Sequence, residues 1–422
     1  MSIESIYEAF LNSSGVCTDT RKISNNCIFF ALKGDNFNGN KFASEALKKG
    51  ATFAVIDEER FNEGQQYILV DDVLKTLQNL ATYHRKALKT PIISLTGSNG
   101  KTTTKELINS VLSTTYKTIA TKGNLNNHIG VPLTLLNLTS DTEIGVVEMG
   151  ANHQREIAFL CDIAYPDYGL ITNFGKAHLE GFGSMEGIVK GKSELYDHLK
   201  KHEKVIFVNE NDKKQVEQVG NYSNSISFGT DTTLLEAQPF VKLKFNGEII
   251  QTQLTGAYNY NNIIAAIAIG LQFKVSEKDI ISAIENYVPT NNRSQIIEKN
   301  SNKIFLDAYN ANPTSMVAAL DNFGGISATN KIAILGDMFE LGNVAKKEHQ
   351  HIADYAQTLN IDNVYLVGAN FYNTFIPNNK YVKKFKTFED LKDHLSTFSF
   401  KDNTLLIKGS RGMALERVLD YI

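Results

Sequence analysis

The sequence predicts an α/β protein of three domains built on mostly parallel sheets. Short apolar runs alternate with helical patterns along the chain, a glycine loop stands between a strand and a helix at 95–104, and polar stretches at 84–91 and 289–293 interrupt the pattern. Strands that alternate with helices imply parallel pairing, because parallel neighbours need a crossover long enough to hold a helix.

At 422 residues, the chain has room for two or three domains of roughly 150 residues each. With 42% apolar residues and 24 Phe, each can bury an ordinary core. A formal charge of −3 gives no electrostatic reason to expect nucleic acid or an anionic membrane as partner, while a local loop can still hold an anionic small molecule. Cys17, Cys27 and Cys161 are scattered and form no CxxC pair, which argues against a disulfide framework or a zinc site and fits a reducing cytosol. The opening MSIESIYEAF has no basic stretch followed by an apolar one. The most apolar helical candidate, 263–273, falls short of the roughly 18–20 residues that span a bilayer. A soluble, cytoplasmic monomer is the expectation.

The first domain (1–88, the smallest) carries apolar runs at 27–32, 51–56 and 67–70 around a helical pattern at 41–49, and the polar HRKALKTP stretch (84–91) reads as a linker. The second domain (89–290) opens with a strand at 92–96, a glycine loop, and a helix from about Thr102 whose apolar stripe is Leu107, Ile108, Val111 and Leu112. Further strands read at 144–147, 168–172 and 205–208. Residues 241–254 alternate like a hairpin around Asn246-Gly247, and a buried helix follows at 261–271. The third domain (291–422) has strand candidates at 304–306, 332–335, 364–367 and 405–407, separated by helical patterns, which makes it Rossmann-like. In such sheets ligands sit outside the carboxyl ends of the strands.

The loop reads LTGSNGKTTT. Gly97 and Gly100 let backbone N–H groups of Ser98, Asn99 and their neighbours turn around a phosphate, Lys101 supplies a cation, and Thr102, followed by Thr103, places a hydroxyl where magnesium would bridge phosphates. Leu95 stands where the longer GxxxxGK[ST] form has its first glycine, so this is the shorter GxxGKT form of a P-loop-type domain. Three later segments add polar groups at strand ends or on a helix. Glu148 ends an apolar strand and, with Thr102, offers oxygen ligands to a hard cation. His178 lies in a glycine-flanked loop. Lys192 shares a helix face with Ile188, Leu195, Tyr196 and Leu199, so it either snorkels to the surface or is modified or paired within a site.

Together the strings TGSNGKTTTKE, GNLNNHIGVPLTLL, EMGANHQREI, ITNFGKAHLEGFGS, DAYNANPTSM, GDMFELG and KGSRGMALE resemble the motifs of the Mur ligase family, in order across all three domains. YNANP and GDMFELG favour the member whose acceptor is D-Ala-D-Ala over members adding earlier amino acids and over folylpolyglutamate synthase. The resemblance implies an ATP-dependent, ADP-forming amide ligase acting on UDP-N-acetylmuramoyl-tripeptide through an acyl phosphate, with two Mg2+ ions. By position it implies that Lys101 contacts the β- and γ-phosphates, that Thr102 and Glu148 hold one magnesium and His178 helps hold the other, and that Lys192 is carbamylated to an anionic ligand. It places Asn259, Asn262, Arg293 and Asp307 at the nucleotide, and Asn126, Asn127 and Asn152 at the peptide substrate. Tyr309, Asn310 and Asn312 fall at the dipeptide, and Thr18, Asp19, Thr20 and Arg21, with Lys33 and Gly34 nearby, at the uridine diphosphate. Lys408, Ser410 and Arg411 are left without a role. The chain departs from the family pattern at Tyr258, where a His is usual, at Asn38 and Asn40 in FNGNKF, and at Arg155, where a Gly is common. The rival reading is a P-loop ATPase or switch, which usually carries the longer loop and a strand-end Asp.

Overall fold

A computed structural model describes residues 2–290, 292–377, 379–397 and 400–422, so one residue of the expected 289–293 boundary lies outside the described residues. The first domain holds a parallel sheet in the order β1 (Val16–Cys17), β2 (Ile28–Phe30), β3 (Phe53–Ile56), β4 (Tyr67–Leu69), with every residue of β2 buried. Helices α1 (Ile3–Leu11) and α2 (Val73–Leu88) pack on it.

The expected linker at 84–91 is corrected by α2, which runs through most of it. The helix starts at the Asp72 cap, whose carboxylate accepts from Lys75 N at 2.8 Å, and ends at Lys89 in the left-handed region. His84 and Arg85 are buried within its last turns, because the following domain supplies their partners. Arg85 donates to the Ala164 and Tyr165 carbonyls and to Asp167 Oδ2 at 2.6 Å, and His84 Nε2 lies 2.9 Å from the Leu138 carbonyl. One apolar cluster accordingly runs from Ile6 through Val73 and Leu80 to Ile157 and Leu199.

The central sheet contains β5 (Ile92–Thr96), β6 (Thr118–Ala120), β7 (Ile144–Glu148), β8 (Tyr168–Ile171), β9 (Val205–Asn209) and β10 (Ser225–Phe228). All are parallel, in the order β10-β9-β8-β5-β7-β6. The first strand in sequence, β5, is therefore interior, and chain reversal on either side of it opens a crevice at its carboxyl end. Helix α3 (Lys101–Leu112) leaves that end and buries Leu107, Ile108, Val111 and Leu112 completely against α6 (Tyr258–Gln272). Each such side chain contributes about 1.5–3 kcal/mol. Helix α4 (Glu156–Ala164) and helix α5 (Met185–Lys201) cover the other face. The hairpin around Asn246-Gly247 is present, with φ +47 and +92 at the turn, and pairs with a strand at Thr232–Glu236 absent from the sequence reading.

The third sheet has six strands, the first antiparallel and the rest parallel. Gln295–Lys299 and Val382–Phe385 form its edges, both missed in the sequence because their faces are only partly buried. Helices α7 (Pro313–Gly325) and α8 (Ala345–Ala356) pack together over one face. Among the described residues, no helix is long and apolar enough to cross a membrane.

Candidate active site

The crevice at the end of β5 opens into a cavity of about 590 Å³ lined by the central and third domains. Its floor is the glycine loop. Gly97 and Gly100 sit at φ +143 and +79, and a Cβ on Gly97 would lie 2.0 Å from Thr172 Oγ1. Only glycine fits there. The loop is moored to the end of β8: Ser98 N donates to the Asn173 carbonyl, Asn99 N to Asn173 Oδ1, and Ser98 Oγ to the Gly175 carbonyl at 2.8 Å. Asn173 had no place in the sequence reading, although it directly follows a predicted strand in ITNFG.

Lys101 turns back over the loop and donates to the Gly97 and Ser98 carbonyls at 2.7 and 3.3 Å. Burial pushes its ammonium down to about 8, with Glu148 opposing the shift and Arg293 adding to it. Lone carbonyls are weak partners for a desolvated ammonium, so the lysine is set to exchange them for an anion.

Glu148 is 1% exposed at the end of β7. Its Oε1 accepts from Asn126 Nδ2 at 2.7 Å and from Thr102 Oγ1 at 3.3 Å, and its backbone N–H donates to Thr121 Oγ1. Its Oε2 has no hydrogen-bond partner. Asn126 is thus tied to the carboxylate while also lining the cavity with Asn127 and Asn152. Thr121 is a second residue that the sequence reading missed.

Lys192 is 1% exposed among Ile188, Leu195, Tyr196 and Leu199, which decides between the two readings left open by the sequence: it does not snorkel. Its Nζ donates to the Ala151 carbonyl at 3.0 Å and lies 4.9 Å from the Phe182 ring centroid. Burial, then the charge of Lys101, holds it well below the ordinary lysine range. Ala151 lines the cavity, and Lys192 sits just behind it. His178 also lines the cavity, at φ +52, with Nδ1 2.5 Å from Glu340 Oε2 of the third domain. That approach is a charge contact lacking hydrogen-bond alignment.

Asn262 and Asn259 meet the loop helix through a relay: Thr104 Oγ1 donates to Asn262 Oδ1, Asn262 Nδ2 to Asn259 Oδ1, and Asn259 Nδ2 to the Thr255 carbonyl. Tyr258, in the usual histidine position, reaches Ser294 Oγ at 3.0 Å, and burial raises its phenol. The third domain closes the cavity with Arg293, Asp307, Tyr309, Asn310 and Lys408. Arg293 stacks 3.7 Å over the Tyr309 ring with an unpartnered Nε, and Lys408 Nζ lies 2.5 Å from Asp307 Oδ2. Asn312 is off the cavity wall; it caps α7 and donates from Nδ2 to Asn99 Oδ1 at 2.7 Å. Lys176 N donates to Thr314 Oγ1, and Lys176 Nζ pairs with Glu348 at 2.8 Å.

The expected uridine-side residues lie apart from this cavity. Asp19 caps the turn Thr20–Lys22 and pairs with Arg21, which holds its carboxyl at about 2; Thr18 precedes it. Lys33 pairs with Asp57, and Gly34 is exposed. Asn40 is buried against Asp57, and Asn38 donates to Glu58. Arg155 adopts φ +71, with its N–H received by Glu194 at 2.5 Å.

A glycine loop, a buried strand-end carboxylate and a third-domain sheet closing over both form a nucleotide-type site, and the comparisons with known proteins make it that of a ligase. The Mur ligase catalytic domain family matches residues 12–85, the Mur ligase middle domain 95–270, and the Mur ligase glutamate ligase domain 292–411. The UDP-N-acetylmuramoyl-tripeptide–D-alanyl-D-alanine ligase of Bacillus subtilis (strain 168) is 35% identical over 96% of this chain and 92% of its own length. The ligase of the same name from Escherichia coli (strain K12) is 32% identical over 97% and 94%. Among solved structures, MurF from Acinetobacter baumannii superposes with a TM-score of 0.85 at 29% identity, covering 99% and 98% of the two chains. MurF ligase from Thermotoga maritima, solved with ADP, gives 0.84 at 27%, covering 98% and 97%. The chain belongs to the Mur ligase family.

Proposed function

We propose that this chain joins D-alanyl-D-alanine to UDP-N-acetylmuramoyl-tripeptide with ATP, forming ADP and phosphate, in peptidoglycan precursor synthesis. The observation that carries the reading is the glycine loop facing the unpartnered Glu148 Oε2 in a cavity closed by the third domain. Curated relatives of that name, alike over nearly the whole chain, support the substrates.

The tripeptide carboxylate attacks the γ-phosphorus, the P–O bond to ADP breaks, and an acyl phosphate forms. The dipeptide amine then adds to the acyl carbon, loses its proton, and expels phosphate from the tetrahedral intermediate. Neutralising charge is most of the task. Loop N–H groups of Gly100 to Thr103 and the Lys101 ammonium would meet the β- and γ-phosphates, where the lysine gives up its two carbonyl contacts, while the Ser98 and Asn99 N–H groups hold the loop to Asn173. Asn259, Asn262, Arg293 and Asp307 serve the rest of the nucleotide.

The donor set fits magnesium, because a buried carboxylate oxygen without a donor beside a threonine hydroxyl is an oxygen site awaiting a hard cation. Thr102 and Glu148 would hold one ion, and His178 with a carbamylated Lys192 the second. Bound magnesium supplies positive charge to the phosphates in transfer. Lys192 suits carbamylation: burial lowers the pKa of its amine, whose free-base form adds to carbon dioxide, so that a C–N bond forms and one proton leaves to solvent.

Asn126, Asn127 and Asn152 would orient the peptide arm, Tyr309 and Asn310 the dipeptide side, with Asn312 tying that segment to the loop, and Thr18, Asp19, Thr20 and Arg21 would orient the uridine diphosphate. Domains at 1–88, 89–290 and 291–422 then divide the work among precursor binding, ATP binding and closure. The protein acts as a cytoplasmic monomer. The test is phosphate release from ATP with purified UDP-muramoyl tripeptides. Release that needs both the tripeptide and D-Ala-D-Ala is expected; equal release without either, or with single amino acids as acceptors, overturns the assignment.

A further inference from the structure

Tyr258 opens α6 in the central domain, and it lines the cavity. Its ring rests against Gly256, which sits at φ +83; a Cβ there would lie 2.4 Å from the ring's Cε1. Glycine at 256 is what lets the ring lie so close to the backbone. From that seat the phenol oxygen reaches out of its own domain, to 3.0 Å from Ser294 Oγ at the entrance to the third. An imidazole is too short to span the same gap from the same backbone. The histidine usual at this position could not make the contact.

The segment that receives the phenol is strained. Asn292 and Ser294 are both left-handed, at φ +56 and +48, and non-glycine residues stay there only where their surroundings over-determine them. Between them stands Arg293, a cavity residue whose guanidinium lies 3.7 Å over the Tyr309 ring. Its Nε is buried and has no hydrogen-bond partner. A buried guanidinium donor left without an acceptor calls for an anion. The phosphate loop is near enough to feel this charge, which helps to lower Lys101.

We infer that Tyr258 is a positioning residue: by tethering Ser294 across the domain boundary, it sets Arg293 for the phosphates of the nucleotide. One hydroxyl, absent from the usual histidine, thus ties the start of the third domain to the helix beside the loop. The inference rests on the ligase reading in assigning a nucleotide to the cavity, but the tether can be read with no ligand present.

The test uses full-length protein and four substitutions. Tyr258→Phe removes one oxygen and keeps the ring on Gly256, so the fold should stand. In nucleotide-free protein, hydrogen exchange followed by mass spectrometry should quicken at 292–297 in Tyr258→Phe and stay unchanged in α3. In calorimetric titrations with ADP and magnesium, Tyr258→Phe, Tyr258→His and Ser294→Ala should each weaken binding about fivefold, the worth of one net hydrogen bond. In an Arg293→Gln background, Tyr258→Phe should weaken ADP no further, because the guanidinium it serves is gone. A merely structural tyrosine would show the same loss in both backgrounds. Full ADP affinity in Tyr258→Phe, or a loss that persists beside Arg293→Gln, overturns the positioning role, and unchanged exchange at 292–297 overturns the tether. Wild-type protein that binds no ADP would overturn the nucleotide reading instead, and the exchange comparison would still decide the tether.

Discussion

The Asn312 side chain donates a 2.7 Å hydrogen bond to Asn99 Oδ1, so a helix cap of the third domain and the phosphate loop of the central domain share one contact. Asn99 is a loop residue whose own backbone is moored to Asn173, and Asn312 starts α7 through a reciprocal pair with Ser315. The phosphate loop and the docked third domain are therefore joined directly through two side chains.

Asn312→Ser keeps a capping hydroxyl but cannot span to Asn99. A net hydrogen bond contributes about 1 kcal/mol, so nucleotide affinity by calorimetric titration should fall about fivefold with little change in urea midpoint. Asn312→Ala should add about 1 kcal/mol of lost stability from the cap.

Lys101 is held at about 8, below the ordinary lysine value. Phosphates favour the charged form, so binding raises the value, and between about pH 8 and 10 the complex takes up protons that free protein lacks. Nucleotide affinity should fall as pH rises through 8, by up to about tenfold per unit. Titrations in buffers of differing ionisation heat should show near-zero proton uptake at pH 6.5 and clear uptake at pH 9. Lys101→Ala should abolish ligation while the fold survives.

Glu148→Gln removes the charge on an oxygen with no donor, so the fold should be unharmed while ligation drops by about 100-fold or more. Mn2+ binding in the presence of ADP, followed by electron paramagnetic resonance, should weaken in parallel. Tight Mn2+ binding in the variant would remove Glu148 from the cation site.

Lys192→Met replaces a buried amine by an apolar chain of similar length, which is neutral or stabilising for the fold. Thermal unfolding should be unchanged or higher while ligation is lost. Lys192→Ala should be inactive and partly rescued by short carboxylates. A carbamate carbon signal after incubation with 13C-bicarbonate should appear in wild type only.

Arg85→Met leaves the Ala164 and Tyr165 carbonyls and Asp167 short of a donor in the join between the first two domains. A loss of about 3 kcal/mol in urea unfolding is expected. A neutral effect would restore the linker reading of 84–91.

What the sequence showed and hid follows from distance along the chain. The loop 97–102 was legible because its strand, glycines, lysine and threonine are contiguous, and so was the apolar face carrying Lys192, because its companions recur at helical spacing, although whether the amine snorkels or is buried was left open. The helix through 84–88 was hidden, since HRKA looks solvated until Ala164, Tyr165 and Asp167 arrive from another segment to satisfy it. Glu340 and Thr121 were hidden likewise. Thr121 sits in no quoted pattern, Glu340 lies within GDMFELG but was given no role of its own, and each finds its partner only in the fold, beside Glu148 and His178. The departures at Asn38 and Asn40 became intelligible as packing against Glu58 and Asp57.

The order of the central sheet also sets how this enzyme comes into being on the ribosome. β5 and β6 emerge first, yet they are not neighbours; β7 must insert between them before either is paired on that side. Until then a nascent chain holds two open edges and no seat for its loop. The last residue of the inserting strand is Glu148, so the act that welds the sheet delivers the carboxylate as well. A truncated chain ending before it would be at once unfinished as a fold and empty as a catalyst.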